Sequence, residues 1–557
     1  MNNVMRKDLP MDNLRMAELL FSDITKTPEY YEEKYPMRNL KEGAVVTRFA
    51  PSPTGFLHFG GLFAAFVGRT AAKATDGVFY LRIEDTDKKR EIENGVSLIV
   101  KGLNDFGITI DEGMLSETEE KGDYGPYTQS TRKDIYRCFV KELVKKGMAY
   151  PCFMSEEELA KIRELQEQKK ELPGVWGDYA KFRDITVEEA QKRIEAGEEY
   201  VVRLRSPGQA DKRIKFKDVI RGDIEMPENI NDIVLLKKDG IPTYHFAHTV
   251  DDHLMRTTHV VRGDEWVSSV PIHLQLFYVC GFKAPKYAHI SPIMKEENGG
   301  KRKLSKRKDP EAAVSFYEEE GYPAGSVWEY LLTLANSNYE EWRRANKNES
   351  TDKFPFSLAK MSKGGALFDM VKLNDVSKSY ISTLTADEVY DMIYDWAKAN
   401  DDVLFQRLAD KEFSLKVLGV ERGNAKPRKD IAKWNEVRDY TEYYYVAPTI
   451  FDFPENIDKA SALEILEAYK DIYTPELTAE DWFPAVRDMA EKLGYAKNPK
   501  LYKEAPDSFK GHVGDVSTVI RIAITGRSNT PDLFWISTVL GFDETVKRID
   551  AAINFLK

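Results

Sequence analysis

One segment limits the possible folds more than any other. Arg48-Phe49-Ala50-Pro51-Ser52-Pro53-Thr54-Gly55-Phe56-Leu57-His58-Phe59-Gly60-Gly61 joins the end of an apolar strand to the start of a helix. Two prolines and a glycine fix the turn ahead of an Ala- and Phe-rich helical run, Leu62 to Ala74. Asp76-Gly77 stops that run, and Val78 to Ile83 reads as the next strand. Strand, loop, helix, strand is a βαβ unit, which sets a helix N-terminus at the C-terminal edge of a parallel sheet. The unpaired N–H groups and partial positive charge there suit a phosphate chain, so the segment reads as an ATP-phosphate site. Gly60 and Gly61 let backbone approach the nucleotide with no Cβ in the way. A bare His-x-Gly-Gly string also fits a histidine packed at a strand–helix corner; the preceding Pro-Ser-Pro-Thr-Gly favours the site.

A chain of 557 residues should divide into several domains. No apolar run approaches the roughly 20 residues of a membrane helix, and Met1 to Ile24 carries no uninterrupted apolar core of a secretory signal. Three cysteines, Cys138, Cys152 and Cys280, cannot build a disulfide framework in so long a chain. A cytoplasmic location without membrane contact is expected. The net charge of −11 does not advertise nucleic acid, but local charge matters more: Lys295 to Lys308 holds seven Lys or Arg against two Glu.

Within that window, Lys303-Leu304-Ser305-Lys306-Arg307 follows Gly299-Gly300. A Gly-hinged loop with two lysines can neutralise the charge that develops on a triphosphate as its α–β bond breaks. The bland alternative is a solvated charge run. A competing string, Lys360-Met361-Ser362-Lys363-Gly364-Gly365, has fewer positive charges and leads into the packing-like Leu367-Phe368-Asp369, so it reads as a decoy.

The pattern between about 127 and 233 alternates helical stretches with short strands and looks inserted into the first fold. The buried-strand-like runs Ile233 to Leu236 and His259 to Arg262 are expected to resume the parallel sheet. Helical periodicity dominates from about 300 onward, with Pro427, Pro448, Pro454, Pro484 and Pro531 expected at or near helix ends. His245, His248, His253, His259 and His273 cluster beside Asp251 and Asp252, but no compact ligand spacing is present.

The motifs RFAPSPTGFLHFGG, RIEDTD (Arg82 to Asp87), PTYHFAHTVDDHLM (Pro242 to Met255), HVVRGDEW (His259 to Trp266) and KLSKR, in that order, resemble bacterial glutamyl-tRNA synthetase, a class I aminoacyl-tRNA synthetase. The likeness is densest over about 45 to 380 and extends weakly to Val519–Gly526, which resembles the last helical domain of bacterial members. The implied fold is an α/β Rossmann-type catalytic domain with an inserted α+β acceptor-binding domain and an all-α C-terminal anticodon-binding half. The boundaries read as an N-terminal extension 1–43, catalytic halves 44–115 and 236–298 around an insert 116–235, a KLSKR-loop and stem-contact region 299–383, and a helical domain 384–557.

The resemblance implies ATP contacts for Ser52, Thr54, Gly55, His58, Gly60 and Gly61, and for Lys303, Leu304, Ser305, Lys306 and Arg307, with His58, Lys303 and Lys306 as the catalytic set. It implies a glutamate pocket of Arg48, Ala50, Ser52, Glu84, Tyr244, His248 and Arg262, in which the arginines and Tyr244 hold the side-chain carboxylate and Glu84 faces the amino group. Guanidinium groups fork onto a carboxylate and are poorly matched by a neutral amide. Position 248 departs from the family: bacterial glutamyl enzymes resemble PTYHxAN there, and His248 is what glutaminyl enzymes carry. The partners implied are ATP with Mg²⁺, L-glutamate and tRNA, acting on a monomer. No zinc is expected, because the Cys-x-Cys of some relatives is here Cys152-Phe153-Met154. A glutaminyl-tRNA synthetase and a non-catalytic RNA-binding paralogue stay open as alternatives, as does charging of tRNA(Gln).

Overall fold

The computed structural model describes residues 10–55, 57–86, 92–305 and 307–557. They form two compact units: one takes the chain to Phe316 together with Leu331–Asp369, and the other takes Tyr317–Tyr330 and Met370–Lys557.

In the first unit, helices α1 (Met11–Phe21) and α2 (Pro28–Lys34) precede β1 (Val46–Phe49), α3 (Phe59–Lys73), β2 (Val78–Leu81), α4 (Gly95–Asn104), β3 (Glu112–Met114) and β4 (Glu120–Lys121). β1, β2 and β3 pair in parallel, with Val46 opposite Val78 and Tyr80 opposite Glu112; β4 closes the edge antiparallel. Helix α3 starts at Phe59, earlier than its apolar run, because His58 Nδ1 accepts the Gly61 N–H at 2.9 Å and so caps the first turn. The ring fits because Gly60 has no Cβ: one built there would stand 3.1 Å from it.

Next come α5 (Lys133–Lys145), β5 (Ala149–Cys152), α6 (Glu156–Lys169), α7 (Val187–Glu195), β6 (Val201–Leu204), β7 (Arg213–Asp218), β8 (Gly222–Pro227) and β9 (Val234–Leu236). A reciprocal Ser155–Glu158 capping box starts α6. The apolar run at Ile233 to Leu236 does not resume the parallel sheet. β9 pairs antiparallel with β6 in a separate sheet ordered β5-β6-β9, while β7 and β8 form a hairpin. An apolar run fixes burial, not the partner strand.

The parallel arrangement returns after α8 (Tyr244–Leu254), where β10 (His259–Gly263) and, after α9 (Val270–Cys280), β11 (Lys286–Ile290) pair in parallel. Thr258 N–H donates to Val46 O at 3.0 Å, which ties the start of β10 to β1. β12 (Met294–Glu297) and β13 (Gly300–Lys303) form a hairpin whose turn residues Asn298 and Gly299 have φ of 53° and 76°, the left-handed pair that the Asn-Gly dipeptide favours. Among the described residues no strand follows Lys303, and no helix is long and apolar enough to cross a membrane.

The N-terminal extension is bolted to this unit. Arg38 forks onto Glu112 at 2.6 and 2.9 Å, and Glu32 takes Arg256 at 2.7 Å and His253 at 2.6 Å, at the end of α8.

The second unit is helical. Buried Ile465, Leu466 and Tyr469 share one face of Lys459–Ile472 and pack with Val486, Val519, Ile520, Ile549 and Ile553 of neighbouring helices. A second core gathers Ile381, Val389, Ile393 and Trp434. Pro484 lies inside the helix Ala479–Lys492 and not at its end. It falls in the second turn, where a missing N–H costs one intrahelical bond and the buried face, Trp482, Val486, Met489 and Ala490, carries the helix through.

Candidate active site

The C-terminal ends of β1, β2, β10 and β11 surround a cavity of about 620 Å³ beside the N-terminus of α3. This is where parallel α/β sheets bind ligands, because helix N-termini and loops converge there. Its wall contains Arg48, Ala50, Ser52, His58, Gly60, Gly61, Glu84, Tyr244, Arg262, Lys303 and Leu304 from the sequence-predicted set. Thr86, Gly263, Glu265, Trp266 and Ser291 also line it. Thr54, Gly55, Ser305, Arg307 and His248 do not line it, and Lys306 lies outside the described residues.

At the N-terminus of α3, His58 is exposed and its Nδ1 is occupied as an acceptor from Gly61. A neutral ring with Nδ1 accepting carries its proton on Nε2. Across the cavity, Asp309 orders the basic hairpin: it takes Arg302 on both oxygens at 2.6 and 2.7 Å, the Ser305 N–H at 2.9 Å and Lys295 at 3.2 Å. Arg302 and Lys295 are thereby neutralised in place. Lys303 is exposed and, among the described residues, has no carboxylate within ion-pair distance. Segment 360–368 runs alongside Ser291–Met294, where Lys363 contributes its carbonyl to Ser291.

Where β1, β2 and β10 meet α8 the arginines differ. Asp252, fully buried, sits between Arg82 Nη1 at 2.6 Å and Arg48 Nε at 3.4 Å, and Arg82 Nη2 also takes Glu84 at 3.0 Å. Burial would raise the Asp252 carboxyl, but Arg82 and Arg48 outweigh it and hold Asp252 well below the usual carboxylate range. Neighbouring Asp251 takes Arg132 at 2.7 Å, Tyr136 at 2.8 Å and Gln129 at 2.9 Å. Arg48, Arg82 and Arg132 are therefore all compensated.

Arg262 is not. It is 6% exposed, and among the described residues it has no carboxylate partner. It donates to Tyr244 OH at 3.3 Å, Trp266 O at 3.3 Å, His273 Nδ1 at 3.2 Å and His289 Nε2 at 3.1 Å. All four acceptors are neutral: burial keeps His273 well below its ordinary value and lowers His289. A buried guanidinium without a counter-anion attracts one, and the cavity is where it can enter. Burial meanwhile pushes the Glu84 carboxyl up against the pull of Arg82 and Arg48, so an ammonium beside it would favour its charged form.

His248 stands behind this wall. It is fully buried, with Nδ1 2.7 Å from Asp252 Oδ2 and Nε2 3.1 Å from Tyr287 OH. The histidine-rich stretch thus packs around Arg262 and Asp252, and among the described residues no three His, Cys, Asp or Glu side chains are grouped to hold a metal ion. Asp252, His273 and His289 were missed as site residues. The available signal was an Asp on the apolar face of a helix, which requires a cationic partner.

This arrangement of strand ends, capped helix and lysine hairpin is that of a class I aminoacyl-tRNA synthetase. Residues 44–375 match the family of class I tRNA synthetases (E and Q), catalytic domain, and residues 388–553 match the anticodon binding domain. The whole chain narrows the assignment. It is 51% identical to the glutamate–tRNA ligase of Clostridium perfringens strain 13 over 96% of this chain and 99% of that protein. It is 48% identical to that of Acetivibrio thermocellus over 97% and 99%. A crystal structure of a glutamate tRNA ligase from Elizabethkingia meningosepticum in complex with its amino acid superposes with a TM-score of 0.73 at 29% identity, covering 92% of this chain and all of that one. The chain belongs to the glutamate–tRNA ligase family.

Proposed function

We infer that the protein joins L-glutamate to tRNA at the expense of ATP. The carrying observation is the uncompensated Arg262 in a cavity that also presents the α3 N-terminus, His58 and Lys303. An α-carboxylate oxygen of glutamate attacks the α-phosphorus of ATP, supplied as its Mg²⁺ complex. The bond to the β-phosphate oxygen breaks and pyrophosphate leaves. A ribose hydroxyl of the terminal adenosine of tRNA then attacks the acyl carbon, and AMP leaves. No side-chain nucleophile is needed, so rate comes from orientation and charge stabilisation.

In this reading Arg262 and Tyr244 take the substrate's side-chain carboxylate, Arg48, whose charge Asp252 already balances, offers a hydrogen-bond donor beside them, and Glu84 faces the ammonium. His58 Nε2, the Gly60–Gly61 backbone and Lys303 take the phosphates, joined by Lys306. Selection against glutamine follows from charge: an amide leaves the Arg262 guanidinium buried without an anion. His248 acts one layer behind, through Asp252 and Tyr287. Residues about 116 to 235 grip the acceptor end, and the helical unit, which carries the anticodon binding domain, reads unpaired anticodon bases. The protein works as a cytoplasmic monomer.

Pyrophosphate exchange with purified protein and tRNA tests the chemistry. Exchange that depends on L-glutamate supports the reading; exchange driven equally by glutamine, or none with either, overturns it.

A further inference from the structure

The grip on Arg262 extends one residue beyond the cavity wall. His289 lies on β11 and Asp218 ends β7; both are fully buried, and neither lines the cavity. Arg262 Nε donates to His289 Nε2 at 3.1 Å, and His289 Nδ1 lies 2.7 Å from Asp218 Oδ2. Guanidinium nitrogens only donate, so Nε2 must be the accepting nitrogen and the imidazole proton sits on Nδ1, where Asp218 receives it. Asp218 is itself fixed by backbone N–H groups of Ile220 at 2.9 Å, Arg221 at 2.8 Å and His289 at 3.1 Å.

We propose that His289 and Asp218 are positioning residues for the glutamate side chain: they aim Arg262 without neutralising it. The inference rests on the reading of Arg262 as the carboxylate-binding arginine. A carboxylate placed directly on Arg262 would orient it equally well but would occupy the charge that the substrate needs. A neutral imidazole supplies the acceptor alone, and Asp218 keeps the imidazole in the one tautomer that accepts. The remaining bonds, from the Nη nitrogens to His273 Nδ1 at 3.2 Å and to Tyr244 OH and Trp266 O at 3.3 Å, all lie at or beyond the long end of an ordinary hydrogen bond, so the Nη edge can exchange them for a ligand. Because β7 pairs with β8, the chain Asp218–His289–Arg262 also ties the amino-acid pocket to that hairpin.

The test is tRNA-dependent pyrophosphate exchange by the full-length protein with glutamate and ATP varied in turn, for Arg262→Ala, His289→Ala, His289→Gln and Asp218→Asn. His289→Ala should raise the glutamate KM by about tenfold or more, the scale of losing an outer partner of a ligand-holding residue, with the ATP KM within about twofold. His289→Gln, whose amide oxygen can accept in place of Nε2, should recover most of that loss. Asp218→Asn keeps the shape but turns an N–H toward Nδ1, forces the other tautomer and should behave like His289→Ala; it decides the matter should His289→Ala fail to fold. A glutamate KM unchanged in both His289→Ala and Asp218→Asn, or equal rises for glutamate and ATP, overturns the proposal. A normal glutamate KM in Arg262→Ala overturns instead the role of Arg262 on which it rests.

Discussion

Replacing Arg262 by alanine should separate its part in folding from its part in binding glutamate. In the folded protein its four acceptors are neutral, so its removal strands no buried charge and admits water from a cavity of about 620 Å³. Stability should therefore change little compared with loss of a compensated arginine such as Arg82. Binding should suffer much more. Truncating one member of a desolvated, hydrogen-bonded charge pair costs about 2–5 kcal/mol, and a value near 3 corresponds to ~10²-fold in kcat/KM for glutamate. The side-chain carboxylate is remote from the reacting carboxyl and keeps its contact from ground state to transition state, so the loss should fall on KM and leave kcat nearly intact. Use of glutamine, which never gained the ionic bond, should fall far less, narrowing discrimination. The assay is pyrophosphate exchange with each substrate varied at saturating tRNA. An equal rise in the ATP KM, or a loss confined to kcat, would rule out Arg262 as the carboxylate-binding residue.

His58→Asn separates capping from chemistry. Asparagine is as good an N-cap, so thermal stability should hold, while loss of the Nε2 donor should lower kcat for exchange by ~10²-fold, as for removal of one oxyanion donor. Retained activity would make His58 a structural cap only. Lys303→Ala removes an exposed ammonium that has no carboxylate within ion-pair distance among the described residues; exchange should fall by ~10²-fold with tRNA binding intact, and near-normal exchange would rule out its phosphate role. Acid should destabilise the fold through its buried histidines. Burial pushes His245 and His259 down to about 4 and His248 to about 3, from 6.5. Below that ordinary value the unfolded chain binds protons that the folded chain refuses, so stability falls as pH drops from 6.5 toward the folded values, by about 1.4 kcal/mol per unit for each histidine. Urea midpoints measured across this range should decline steadily, and a flat profile would contradict the neutral assignment of these rings.

What could be read from the chain was what local chemistry encodes. Pro-Ser-Pro-Thr-Gly before His-x-Gly-Gly and Asp76-Gly77 after the helical run specify a turn and a helix stop within a few residues. Arg48, Glu84, Tyr244 and Arg262 were singled out by the family resemblance alone, and they meet at the cavity wall because they fall at strand C-termini or a helix start. What escaped was non-local. The run at Ile233 to Leu236 announces a buried strand, but only the fold shows it beside β6. The start of α3 moved to Phe59 because a side chain, not an apolar period, supplies the cap. Asp218, His289 and Arg262 lie on three separate strands, and nothing in their spacing reveals one hydrogen-bonded chain. Nor could the sequence distinguish the compensated arginines Arg48 and Arg82 from uncompensated Arg262, because that difference depends on where Asp252 falls.

In the proposed reaction this chain esterifies tRNA with glutamate, selected by the buried positive charge of Arg262. Acylation of purified tRNA(Glu) and tRNA(Gln) with labelled glutamate and labelled glutamine, in parallel, tests it most directly. Glutamate is expected on tRNA(Glu), with negligible attachment of glutamine to either tRNA; efficient glutaminylation, or no acylation with an intact protein, would overturn the assignment.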